Sequence, residues 1–189
     1  MAQGTVARPR GREEVTSAII AACETMCRTR SPSEFTIKEL AAEAGITTSL
    51  LYFYFDSKDH ILSETLRSIA GEINEEALAQ PTPRAMIETA AERMWEREGF
   101  PRLITALTLE HRNITQLMGG HPFIRTLAAA IDDAYDVPDA QQAAVVLITV
   151  AIAASVLGRS ANVAIGRDRD DRRVGRDLVE AALRQIEDA

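Results

Sequence analysis

The chain has 189 residues, of which 46% are hydrophobic and 5% aromatic, and its net charge is −7. This length allows one large or two small domains with a buried core, and the negative charge argues against indiscriminate binding to nucleic acids. The polar, basic first twelve residues do not resemble a signal peptide, and the longest apolar run, 143–157, is interrupted and too short to span a bilayer. We therefore expect a cytoplasmic protein without a membrane segment.

The N-terminal segment contains a basic arm of sequence RPRGR, with Arg8, Arg10 and Arg12. Such an arm suits contacts with phosphates or a minor groove, and it equally suits a solvated tail. A first helix is predicted over 13–29, with Cys23 and Cys27 four residues apart on one face. In a reducing cytosol we expect two small buried apolar residues there, rather than a disulfide or half of a metal site.

A capping box begins the next helix. Thr36 is the N-cap and Glu39 follows three residues later, so a short amphipathic helix is predicted over 37–43. Gly45 comes next, where a positive φ ends a helix without a Cβ penalty. The chain must turn at this point.

A second short helix is predicted over 48–53, with Thr47 as its N-cap. Its outer face carries hydroxyls and rings but no charge, through Thr48, Ser49, Tyr52 and Phe53. Hydroxyls can bond base edges or phosphates, and a ring can pack on the C5-methyl of thymine. The layout over about 36–55 is that of a DNA-reading helix-turn-helix, although two short core helices would show the same spacing.

A third helix begins after Ser57 and is predicted to run over 58–78. Its first turn contains Lys58, so a helix N-terminus and an ammonium group converge where a phosphate would bind well. The phenols of Tyr52 and Tyr54 can each reach a phosphate from the preceding segment.

The run AGITTSLLYFYFDSKDHIL, residues 44–62, resembles the signature of TetR-type transcriptional regulators. The resemblance covers 12–66, about a third of the chain. It implies an N-terminal arm and three-helix DNA-binding domain over 1–62, followed by a larger helical domain over 63–189 that binds an effector and dimerises.

Carried over position by position, the resemblance implies DNA contacts from Thr36, Lys38, Thr47, Thr48, Ser49, Tyr52 and Tyr54. It implies a phosphate contact from Lys58. Phe53 departs from the family pattern, because a histidine that can form a hydrogen bond is common there. We therefore expect only van der Waals contact with DNA from Phe53.

No segment shows the sustained alternation of a half-buried strand, so an all-α fold is expected. Beyond 78, helices are predicted over 83–98, 101–118, 122–135, 138–157 and 170–187, with a loop over 159–167. Within the helix over about 138–158, the part 143–157 is apolar nearly all round, and 170–187 has one apolar stripe. Two such helices from each of two chains would form a two-fold four-helix bundle, the homodimer that the resemblance also implies. The alternative is that both helices close a monomeric core.

The middle of the chain is rich in methionine and aromatic side chains, which suit an adaptable pocket for a small apolar or amphipathic molecule. The candidate effector contacts are Met94, Trp95, Leu107, His111 and Phe123. A histidine in a helix is more often structural than a ligand-binding group. Most of the other apolar residues are expected to be core.

These patterns predict a ligand-responsive homodimeric DNA-binding regulator, a repressor that its effector releases from a palindromic operator. The alternative is a DNA-binding regulator or architectural protein with a filled core and no effector. The sequence contains no glycine-rich phosphate loop, HExxH or GxSxG motif, so we expect neither an enzyme nor a bound metal or cofactor.

Overall fold

A computed structural model describes residues 11–120, 122–164 and 171–187; Arg8 and Arg10 of the basic arm lie outside them. These residues contain ten α-helices, one short 3-10 helix at Pro32–Glu34 and no strand, which confirms the all-α prediction. The α-helices are α1 Arg12–Cys27, α2 Ile37–Glu43, α3 Thr48–Tyr54, α4 Lys58–Leu78, α5 Pro83–Glu96, α6 Gly99–Leu109, α7 Ile114–Met118, α8 Pro122–Ala134, α9 Ala140–Ala164 and α10 Asp171–Glu187.

The three predicted N-caps begin α2, α3 and α4. The Thr36 hydroxyl accepts a hydrogen bond from the Glu39 amide at 3.2 Å. Thr47 and Ser57 do the same for the amides three residues later, at 3.2 and 3.1 Å. Because each cap satisfies an otherwise unpaired helix N–H group, these hydroxyls fix where each helix begins.

The predicted helix over 101–118 was wrong, because the chain breaks between α6 and α7. His111 has a φ of 57°, and its amide donates to the Thr108 carbonyl at 3.0 Å. The next amide, of Arg112, donates to the Leu107 carbonyl at 2.9 Å. This is a Schellman-type C-cap built without glycine, so the sequence carried no obvious stop signal.

Helix α9 is longer than predicted, since it continues to Ala164 through most of the segment expected to be a loop; 165–167 lie outside the described residues. Its part Ala140–Leu157 has a mean hydropathy of 2.0 and is long and apolar enough to cross a membrane by length and composition alone. The expectation that the apolar run is too short was therefore wrong, and length does not decide its environment.

Helix α4 joins the helix-turn-helix to the rest of the protein. Near its start Ile61 and Leu66 are fully buried, and further along Ile69 and Ile73 are buried as well. One continuous hydrophobic core contains buried side chains from every α-helix except α7, whose partly buried residues pack against it. The boundary predicted between residues 62 and 63 falls inside α4.

Helices α1 and α6 approach each other closely at Gly99. A Cβ atom at this position would lie 2.1 Å from the Glu24 carbonyl oxygen, which is far inside van der Waals contact. Beside it, the guanidinium of Arg97 pairs with the carboxylate of Glu24 at 3.0 Å and with that of Glu72 on α4. Three helices are therefore held together where the N-terminal region meets the rest.

Cys23 and Cys27 are both free and buried on α1, as expected for small apolar core residues. A hydrogen bond to Cys23, together with burial, holds the pKa of the Cys27 thiol well above its ordinary value. Such a thiol is a poor nucleophile.

Candidate nucleic-acid interface and apolar pocket

The turn between α2 and α3 is formed by the predicted glycine. Gly45 has a φ of 68°, and the amide of Ile46 donates to the Ala41 carbonyl at 2.9 Å. Below the turn, Leu40 and Leu51 are fully buried and hold the two helices together. The opposite face of α3 is left free to contact a partner.

Tyr52 and Phe53 are the large side chains on this free face, with 53% and 78% of their surfaces exposed. Thr47 and Ser49 are also exposed, whereas Thr48 is half-buried. Helix α3 carries no charged residue. The face therefore presents hydroxyls and rings, which suit direct contacts with base edges more than long-range attraction to phosphates.

Tyr54 is half-buried at the end of α3, with its ring edge-to-face against Phe53 at a centroid distance of 5.1 Å. The guanidinium carbon of Arg12 lies 6.0 Å from the centroid of the same Tyr54 ring. Sequence reasoning placed Arg12 in the basic arm but did not link it to α3. The start of α1 therefore contributes a cation beside the end of α3.

Two further predicted contacts, Thr36 and Lys38, are exposed at the start of α2. The Thr36 hydroxyl is engaged with Glu39, because it donates to that carboxylate at 2.8 Å as well as accepting from the backbone. Hydrogen bonds from the Thr36 amide and hydroxyl lower the pKa of Glu39 to about 2. Lys38 is thus the cation of α2 that is available to DNA.

Lys58 does not point outward in this structure. Its ammonium donates hydrogen bonds to the carbonyl oxygens of Pro32 and Phe35, and lies 4.3 Å from the centroid of the Phe35 ring. Partial burial lowers the pKa of Lys58. The side chain ties the 3-10 helix to the start of α4, and a phosphate contact would require it to leave these partners.

The candidate effector residues do not all come together. Met94 and Phe123 line an apolar pocket of about 180 Å³. Trp95 lines a different, polar groove between α5 and α10, and Leu107 is fully buried in the core. His111 is exposed at the turn between α6 and α7, away from the apolar pocket.

That turn touches the N-terminal region directly. The Ser31 hydroxyl donates to the Glu110 carboxylate at 2.9 Å, and the Arg112 guanidinium pairs with Asp59 in the first turn of α4 at 2.6 Å. Ile104 and Ile114, on either side of the turn, line the apolar pocket. A change of shape in the pocket therefore has a short path to the helix-turn-helix.

Apolar side chains remain exposed on the last two helices. On α9, Val145, Val146 and Leu157 are 45%, 42% and 60% exposed, and on α10 Leu178 is 47% exposed. The opposite sides of these helices are packed through residues such as Leu147 and Leu183. Exposed apolar side chains of this kind suit contact with another molecule.

A family model described as bacterial regulatory proteins, tetR family, matches residues 19–65. The HTH-type transcriptional repressor Rv3405c of Mycobacterium tuberculosis is 27% identical over 128 residues, which are 68% of this chain and 64% of the relative. The match therefore spans less than two thirds of that relative's length. The HTH-type transcriptional regulator BetI of Rhizobium meliloti is 36% identical over 56 residues, 28% of each chain.

Solved structures show the same fold. A TetR-like transcriptional regulator from Rhodococcus sp. RHA1 superposes with a TM-score of 0.66 at 19% identity, over 94% of this chain and 98% of that one. The transcriptional regulator FadR from Bacillus subtilis, in complex with stearoyl-CoA, gives 0.64 at 15% identity, over 88% and 96%. At such identities the likeness concerns the fold alone.

Proposed function

We propose that this chain is a regulator of the tetR type, a homodimeric, DNA-binding transcriptional repressor in the cytoplasm, because its residues 19–65 match the model of that family. In this proposal a small molecule releases it from a palindromic operator. The observation that carries the proposal is the free face of α3, where Ser49, Tyr52 and Phe53 stand exposed on a helix anchored by the buried Leu51.

DNA contacts are proposed from both helices and their caps. Exposed hydroxyls and rings of α3 would read base edges, while Lys38 and the tyrosine phenols would contact phosphates and set the register. Arg12 joins this set through its position beside the Tyr54 ring. Lys58 would support the interface by holding Pro32 and Phe35 in place, rather than by contacting a phosphate.

The exposed apolar faces of α9 and α10 support a homodimer. Packed against the same faces of a second copy, they would form a two-fold four-helix bundle and bury the valines and leucines. A two-fold dimer places two recognition helices on one side of the DNA, about 34 Å or one helical turn apart. It would therefore read a palindrome or near-palindrome. This use of α9 also accounts for its hydropathy without a membrane.

The apolar pocket supports a response to a small molecule. It lies between α4, which leads to the DNA-binding helices, and α5 to α9. The contacts from Glu110 to Ser31 and from Arg112 to Asp59 give an occupant a second path to the N-terminal region. To release the operator, the effector needs to bind the DNA-free arrangement of the protein only modestly more tightly than the DNA-binding one. A difference of about 1.4 kcal/mol changes operator affinity tenfold.

Selection of bound duplexes from a random pool tests the proposal. The purified chain, at about 0.15 M salt, is expected to enrich a near-palindrome whose half-site centres lie about one turn apart. The affinity of the enriched duplex is then compared with that of a shuffled duplex of the same composition. Equal affinity for both would contradict a sequence-specific regulator.

A further inference from the structure

The apolar pocket is lined by apolar residues and one polar residue, Asn74. Its lining comes from α4 to α9: Ala70, Ile73, Asn74, Ala90, Met94, Phe100, Ile104, Ile114, Met118, Pro122, Phe123, Ile124, Ile148 and Ile152. Asn74 is the polar side chain among these residues. The described part of the chain supplies no charged side chain to this wall.

Asn74 lies on α4 and is half-buried. Ile73 and Met94, which line the same pocket, are buried and apolar. In the described part of the chain, no Asn74 atom is among the fully buried side-chain atoms without a hydrogen-bond partner, so the amide keeps some contact with solvent. A polar group on a bound molecule can replace that water, whereas an apolar molecule would leave the amide unpaired.

The wall also restricts the charge of an occupant. A buried ion needs a counter-ion or several hydrogen bonds, and a single amide supplies neither. A coenzyme A thioester, such as the stearoyl-CoA bound by the Bacillus subtilis FadR, carries several phosphates that this wall would leave unpaired. The occupant is therefore uncharged where it is enclosed.

The volume limits its size. The pocket is about 180 Å³. A dry engineered cavity of roughly 150 Å³ holds benzene, whereas drug-sized ligands occupy pockets of about 300 to 1,000 Å³. The space thus suits one ring with a short substituent.

We propose that this pocket binds an uncharged molecule of single-ring size with one hydrogen-bonding group, held by the Asn74 amide. The proposal rests on the proposed function for its biological meaning, because such an occupant would be the effector. Asn74 stands sixteen residues beyond Lys58 on the same helix, about 24 Å along its axis at 1.5 Å per residue. Ligand binding to Asn74 would therefore act on the helix that begins at the DNA-binding region.

Three probes of nearly equal size separate the contributions of hydrogen bonding and charge. They are 4-ethylphenol, ethylbenzene and 4-ethylbenzoate, titrated into the full chain without DNA and followed by calorimetry and thermal shift. We expect 4-ethylphenol to bind about tenfold more tightly than ethylbenzene, and 4-ethylbenzoate not to bind. Tightest binding by the carboxylate, or no binding by either neutral probe, would overturn the proposal.

Variants locate the site. Asn74→Leu keeps the size of the side chain but removes the amide. The affinity for 4-ethylphenol is therefore expected to fall to that for ethylbenzene, and the variant should still bind ethylbenzene. Ile148→Trp fills the pocket and should abolish both. Glu75→Gln, at the exposed next position of α4, is the matched control and should change neither. Unchanged preference for the phenol in Asn74→Leu would contradict the role of Asn74.

Because these titrations contain no DNA, they are independent of operator selection. Probe binding without a selected operator would refute the proposed function but not the ligand class. A selected operator without probe binding would refute the ligand class and favour a DNA-binding regulator with a filled core.

Discussion

Phe53 exposes 78% of its surface in the middle of α3, beside the more polar Ser49 and Tyr52. A benzene ring offers DNA no hydrogen bond, but it packs well on the C5-methyl group of thymine. The edge-to-face contact with Tyr54 holds the ring in place. Readout by Phe53 would therefore depend on a methyl group rather than on a donor or acceptor.

Replacing one thymine of the selected half-site by uracil removes that methyl group alone. We expect the wild-type chain to lose about tenfold in affinity, or about 1.4 kcal/mol, at the position contacted by Phe53. Phe53→Ala should bind the thymine duplex about as weakly as the wild-type chain binds the uracil duplex. Replacing thymine by uracil should then cause no further loss of affinity in the variant. Fluorescence anisotropy gives the four affinities of this cycle. An equal uracil penalty in both proteins would exclude the contact.

Lys58 is expected to contribute to folding more than to DNA attraction. Lys58→Met removes the charged donor from the Pro32 and Phe35 carbonyls and should lower the free energy of unfolding by about 1 to 3 kcal/mol. Lys38→Met, at an exposed position, is the comparison: it should leave stability unchanged and reduce the salt dependence of DNA binding by about one phosphate contact. Denaturant titration and affinities at several salt concentrations measure both. Normal stability with a reduced salt slope in Lys58→Met would show that the ammonium turns outward.

These two residues show what sequence reasoning reaches at this scale. The Thr47 and Ser57 caps fix where α3 and α4 begin, and from the position of α3 the exposure of Phe53 could be predicted. The direction of the Lys58 side chain could not, because its partners are carbonyls 23 and 26 residues earlier in the chain. Local spacing carries no information about such partners.

At the scale of elements, the start of α2 is sensitive to pH through Glu39. Its pKa is lowered from 4.5 to about 2, chiefly by the Thr36 amide and hydroxyl and then by Arg30. The folded state therefore favours the charged form, and this contribution is complete above about pH 4.5 and is lost as the pH falls toward 2. The stability difference between wild type and Glu39→Gln should shrink over that range. Denaturant midpoints between pH 2 and 7 measure it, and a constant difference would exclude this role.

The α1–α6 contact is expected to tolerate glycine alone at position 99. Gly99→Ala places a methyl group against the Glu24 carbonyl, and the required shift of a helix should cost about 1 to 3 kcal/mol or more. Gly71→Ala provides the matched control, because no atom lies within 4 Å of its added Cβ on α4. There alanine should stabilise the helix by up to about 1 kcal/mol. Thermal unfolding compares the two, and equal melting temperatures would contradict the close approach.

Helix boundaries were predictable where a side chain marks them and not elsewhere. The hydroxyl caps of α2, α3 and α4 are local signals, and all three were found. The end of α6 depends on His111 adopting a positive φ, a conformation that is uncommon outside glycine even though histidine adopts it more often than most residues. The polar contacts of Glu110 and Arg112 on either side hold the turn.

At the scale of the whole molecule, the exposed face of α9 should control assembly. Val146→Glu puts a charge in the proposed dimer interface, so a monomer is expected. A monomer loses the base contacts of one half-site, about 1 to 3 kcal/mol each. Operator affinity should therefore fall by a hundredfold or more. Leu109→Glu, at the 74% exposed end of α6, should stay dimeric. Light scattering after gel filtration measures both masses. A dimeric Val146→Glu with normal affinity would place the interface elsewhere.

The sequence predicted which kinds of residue line the apolar pocket, but not which individual residues do so. Methionine and aromatic residues in the middle of the chain indicated it, and Met94 and Phe123 do line it. Asn74 was missed because a single polar residue on a helix with many exposed charges gives no signal from sequence. Trp95, Leu107 and His111 lie outside the apolar pocket. Tertiary packing, rather than residue type, decides which side chains line a pocket.

Helix α4 has a consequence for the way the chain unfolds. Its buried residues Ile61 and Leu66 pack near the helix-turn-helix and Ile69 and Ile73 pack beyond it, within one uninterrupted helix and one core. Loss of structure at either end would expose apolar surface at the other. The chain should therefore melt in a single cooperative transition, and a fragment ending at residue 62 would leave α1 without its packing partner along α4.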